Sequence, residues 1–135
     1  MKSEDGSSSL QVERREYEDF VNFALTASFH GQIVTNDGVV FSDAPAFVEA
    51  ATAFEQTRTG AAMLEGTEDC QIAIEPDGRT GDMWLSFQVS RILTSHSPKT
   101  GRGRSGHITL AGGFSVSGEF IGKAVHDLKE IFAVG

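Results

Sequence analysis

The residues from Cys70 to Leu93, CQIAIEPDGRTGDMWLSFQVSRIL, constrain the fold more than any other stretch. Cys70, Ile72 and Ile74 alternate with Gln71, Ala73 and Glu75. After Pro76-Asp77-Gly78 and Gly81, Met83, Leu85, Phe87 and Val89 alternate with Trp84, Ser86, Gln88 and Ser90. Successive side chains of a strand point to opposite faces. Period-two patterning on both sides of a Pro/Gly turn therefore predicts a β-hairpin with one buried face. The rest of the chain has to cover that face.

Phe20 to Phe29 places Val21, Phe23, Leu25, Ala27 and Phe29 on one side, the pattern of a half-buried strand. Gln32 to Thr35 reads as a second strand. Asn36-Asp37-Gly38 accepts the positive φ of a tight turn, and Val39-Val40-Phe41 reads as a third strand. Ser42-Asp43-Ala44-Pro45 then signals a helix start, with Phe47, Ala50, Ala51 and Phe54 as its apolar stripe and Arg58-Thr59-Gly60 as its end. Ala61 to Leu64 is a candidate short strand. Thr94 to Gly106 has no apolar and no acidic residue and reads as a long structureless loop. His107 to Val116 is the last strand, and Gly112-Gly113 suggests a bulge or bend in it. Ser117 is read as the cap of a second helix striped by Phe120, Ile121, Ala124, Val125, Leu128, Ile131 and Phe132.

The pattern predicts an α+β fold in the order β-β-β-α-β-β-β-α. A mostly antiparallel β-sheet of about six strands carries two helices on one side. Residues 1–19 are expected to be flexible or weakly structured. Met1 to Ser9 reads as a disordered tail, and Leu10 to Asp19 as either an edge strand or a frayed turn. Residues 20–135 are expected to form a single α+β domain, and 135 residues can bury about two-thirds of the unfolded chain's surface without a disulfide or metal.

The net charge of −8 argues against a nucleic-acid-binding surface, which needs a basic footprint, and is compatible with a basic partner. The single Cys70 excludes an internal disulfide and fits a reducing compartment. With Glu68 and Asp69 beside it, Cys70 reads as a buried structural thiol. No apolar run approaches the roughly 20 residues of a membrane helix, and the polar Met1 to Ser9 is not a signal peptide. The expected location is the cytoplasm, with no membrane partner.

Catalytic patterns are weak. His30, His96, His107 and His126 lack metal-ligand spacing, and there is no GxSxG elbow. Gly101 to Gly106 lacks the Lys and the following helix of a phosphate loop. Neither a catalytic nor a metal site is assigned, no cofactor is expected, and the protein is read as a non-enzyme. The candidate partner-binding residues are Asp77, Asp82 and Trp84 on the hairpin and Lys99, Arg102 and Arg104 on the loop. Acidic turns suit docking to a basic partner, a lone Trp is a favoured hot spot, and the loop cations suit an acidic patch or a nucleic acid.

From Phe47 to Phe132 the chain resembles the WapI-type bacterial immunity proteins. The resemblance is carried by F-x-x-A-x-x-x-F (Phe47 to Phe54), D-x-W-L-S-F-x-V (Asp82 to Val89), F-x-V-x-G-E-F-I (Phe114 to Ile121) and the apolar last helix. It implies a cytoplasmic antitoxin that binds and neutralises a cognate toxin domain. A small-molecule or peptide-binding module using the concave face of the sheet is the alternative reading.

Overall fold

The computed structural model describes residues 1–78 and 81–132. Seven strands and two helices follow one another: β1 (Ser8–Glu16), β2 (Val21–Phe29), β3 (Gln32–Val39), α1 (Ala44–Thr57), β4 (Ala62–Glu65), β5 (Gln71–Asp77), β6 (Asp82–His96), β7 (Gly103–Val116) and α2 (Ile121–Phe132). All pairings are antiparallel. The strands form two sheets, β1-β2-β3 and β4-β5-β6-β7, in place of the one sheet of about six strands expected.

The alternation in the central hairpin decides its orientation. Ile72, Ile74, Met83, Leu85, Phe87 and Val89 are buried, and Ala62, Leu64 and Phe114 join them on the same face from β4 and β7. Leu10, Leu25 and Ala27 of the other sheet, with Phe47, Ala51 and Phe54 of α1 and Ile121, Val125, Leu128 and Phe132 of α2, complete one continuous core. Phe132 sits at its aromatic centre, its ring centroid 5.0 Å from Phe23, 5.5 Å from Phe41 and 6.0 Å from Phe47. Among the described residues, no helix is long and apolar enough to cross a membrane.

Several expectations are corrected. Met1 to Ser9 is not a disordered tail: Ser8 and Ser9 open β1, and Leu10 donates its N–H to Met1 O at 2.8 Å; of the two readings of Leu10 to Asp19, the structure has the edge strand as far as Glu16. Asp5 closes this N-terminal turn by accepting from Ser7 N (2.9 Å), Ser7 Oγ (2.7 Å) and Ser3 Oγ (2.8 Å). These bonds, led by that from the Ser7 N–H, hold the Asp5 carboxyl down from 3.8 to about 2. The turn is therefore fully supported above pH 3.8 and loses that support as the pH falls through about 2. A carboxyl NMR titration of Asp5 should show a midpoint near 2, and Ser7→Ala should move it upward. A wild-type midpoint at 3.8 would contradict this geometry.

Asn36-Asp37-Gly38 does not turn the chain. β3 runs through it to Val39, with a register shift against β2 between Phe23 and Leu25. Nor do Gly112-Gly113 make a bulge, since β7 keeps its register against β6 throughout. The glycines are there for space. A Cβ on Gly112 would lie 2.7 Å from the Phe29 ring, and one on Gly113 would lie 2.6 Å from Leu85 O and 2.8 Å from the Trp84 indole. The Ser117 side chain does not cap α2; its hydroxyl donates to Glu4 Oε1 at 2.9 Å. At the end of α1, Arg58 itself takes the left-handed cap (φ 58°). Its guanidinium donates to Glu55 O, Gly81 O and Gly118 O, tying α1 to the hairpin and to the approach to α2.

Candidate functional site: a projecting basic arm

The segment read as a structureless loop is the end of a long β-ribbon. β5 accompanies β6 only as far as the pair Gln71↔Gln88. Beyond it β6 and β7 continue together through Arg91↔Ile108, Ile92↔His107, Leu93↔Gly106, Thr94↔Ser105 and Ser95↔Arg104 to His96↔Gly103. The tip is closed by Ser97 N to Arg102 O and Gly101 N to Ser97 O, both 2.9 Å. At about 3.4 Å per residue, the six pairs make an arm of about 20 Å. From Arg91 to Thr109 every residue is exposed except Ser97, which is half-buried.

Charge is segregated onto this arm. Between Asp82 and Glu119 there is no acidic residue, and the cations there are Arg91, Lys99, Arg102 and Arg104. The remaining chain holds all 19 acids against seven of the 11 Lys and Arg. Three of the six residues singled out from the sequence, Lys99, Arg102 and Arg104, thus come together at the outer end of the arm. Arg91 at its root, with Ile92, Leu93 and Ile108 (43%, 40% and 48% exposed), was missed.

The root is fixed by a buried polar cluster. Asn36, 6% exposed, donates from Nδ2 to Ser90 O and to Glu68 Oε2, both 2.8 Å, while its Oδ1 accepts from Gly38 N at 3.0 Å. Ser90 N donates to Cys70 Sγ at 3.5 Å, and the hydroxyls of Ser90 and Thr109 share a hydrogen bond across the ribbon. Burial raises the Cys70 thiol above its ordinary pKa, and the nearby Glu68 adds to this, so the group serves as a neutral structural partner. Replacing Asn36 with Ala should cost about 2 kcal/mol, because buried polar groups lose their partners. It should also speed amide exchange at Arg91 and Ile92. Unchanged stability and exchange would remove the cluster's anchoring role.

The other three candidates lie elsewhere. Fourteen residue steps along β6 put Asp82 about 45 Å from the end of that strand at His96. Asp82 Oδ1 accepts from Gly118 N at 2.9 Å, supporting the turn into α2, so reversing its charge tests folding as much as docking. Asp77 pairs with Asp82 across the hairpin. Trp84 is half-buried on the outer face, its indole passing over Gly113. It lines a shallow groove of about 530 Å³ with Glu4, Asp5, Phe29 and His30. One compact interface cannot contain both these residues and the arm tip.

The four histidines do not converge. His96 and His107 stand on the arm, His30 packs edge-on to Phe29, and His126 pairs with Glu130 on α2 at 3.1 Å. Among the described residues, no three His, Cys, Asp or Glu side chains come together as metal ligands. Neither a protein-family model nor a curated protein nor a solved structure matches the chain.

Proposed function

We propose that this protein is a non-enzymatic binding protein of the bacterial immunity type, which holds a cognate toxin domain and blocks it, with the β6–β7 arm as its docking element. The observation that carries the reading is the arm itself: exposed, free of acid and anchored at its root. An isolated two-stranded ribbon is marginal in water, so a partner that covers it supplies what the sheet does not. The residues behind the WapI-type resemblance lie mainly in the core here: Phe47, Phe54, Leu85, Phe87, Phe114 and Ile121 are buried. Buried in this way they serve packing, and docking falls to other residues.

Co-expression with whatever C-terminal domain the source genome encodes immediately upstream tests the reading. Growth rescue together with a co-purifying complex is expected. Absence of both rescue and complex would count against it.

The peptide-binding alternative draws on a different feature, an open groove of about 580 Å³ between the N-terminal segment, β7 and α2. Phe114, Val116 and Phe120 line it, with Lys123 and Asp127 at its side. That reading predicts a peptide-induced thermal shift that disappears in Phe120→Glu.

A further inference from the structure

We infer that the arm fits an acidic cleft in a partner protein, its cations entering the cleft and its apolar root sealing the mouth. The inference rests on the binding role proposed above and adds the chemistry of the surface that receives the arm.

Cross-strand partners of an antiparallel ribbon share a face. Arg91, Ile108, Leu93 and Arg104 therefore lie on one face, and Ile92, His107 and His96 on the other. The apolar residues of both faces sit near the root, while Lys99, Arg102 and Arg104 lie at or next to the tip. Apart from Arg91 in the innermost pair, the ribbon is thus divided along its length, apolar then cationic, as a plug is. Protein interfaces combine an apolar centre with charged groups that set orientation. At about 20 Å, the arm exceeds the roughly 8 Å Debye length of physiological salt, so its tip acts outside the screened field of the acidic body.

A nucleic acid fits less well. The arm has no Phe, Tyr or Trp on which bases could stack. A B-form major groove is about 8.5 Å deep, so a duplex gripping the tip would leave Ile92, Leu93 and Ile108 in water.

The test is an NMR titration of the whole protein at low ionic strength with two probes, a synthetic peptide alternating Glu and Leu and a short DNA duplex. The peptide should shift signals from Arg91 to Thr109 and leave the rest in place. Affinity should fall with added salt and drop about tenfold or more in K99E/R102E/R104E, whose spectrum outside the arm stays that of the wild type. Absence of arm shifts, or equal binding by the triple variant, would overturn the inference. So would tighter binding of the duplex, which would reassign the arm to nucleic acid. A sedimentation-detected dimer that the triple variant abolishes would instead make the acidic body of a second copy the occupant. Failure of these titrations with growth rescue intact would move the toxin interface off the arm. Intact peptide binding without rescue would remove the immunity reading and keep the arm's chemistry.

Discussion

Cutting the arm back, so that Ser90 and Thr109 are joined by an Asn-Gly turn, is expected to abolish partner binding while the fold persists. Ser90 and Thr109 face each other across the ribbon, the spacing that a two-residue turn closes. The excised residues include none of the core. Ser90 and its bonds to Asn36 and Cys70 remain. Thermal unfolding should therefore move by no more than about 4 °C. Affinity should fall roughly 1,000-fold, about 4 kcal/mol, which is the scale of a few central anchor residues lost together. The controls are calorimetry of the free variant and titration of the partner. Undiminished affinity would place the interface elsewhere.

Replacing Phe132 with Ala should produce the largest loss of stability, about 3–5 kcal/mol. The side chain is 2% exposed, and its ring meets three other aromatic rings, contributed by β2, by the segment after β3 and by α1. The cavity opens where both helices and the three-stranded sheet converge, so no single neighbour can collapse into it. Against the 5–15 kcal/mol total stability of a domain this size, such a loss brings much of the population toward unfolding at 37 °C. Denaturant titration reads it directly. Phe132→Leu, which keeps most of the volume, should lose less than half as much. Equal losses for the two variants would show that the aromatic packing is not the reason.

The hairpin β5–β6 and the helix α2 are legible in the sequence because one face of each is buried and the other wet. Hydrophobic periodicity records that difference. β1 is harder to read. Leu10 and Val12 do turn inward, but Arg14 follows at the next inward position, so the alternation dissolves into charge. In β3 the local turn chemistry of Asn36-Asp37-Gly38 is overridden by tertiary partners, since Asn36 is worth more inside, bonded to Ser90 and Glu68, than in a turn. The outer arm is invisible to periodicity for a physical reason. Neither of its faces is buried, so its strands are held by backbone pairing alone.

The candidate site was legible in part. Lys99, Arg102 and Arg104 stand out as cations in a run without acid. Arg91, Ile92, Leu93 and Ile108 do not, because they look like the continuation of a buried strand. The signal that could have joined them is the complete absence of acid from Met83 to Gly118 in a chain of net charge −8. Asp82 carries a second role that the sequence does not show: it accepts the Gly118 N–H and so supports the turn into α2.

Amide hydrogen exchange on the purified complex, compared with the free protein, tests the arm's role most directly. Strong new protection is expected from Arg91 to Thr109, with little change around Asp77, Asp82 and Trp84. Protection concentrated at that hairpin end, with the arm exchanging as fast as in the free protein, would contradict it.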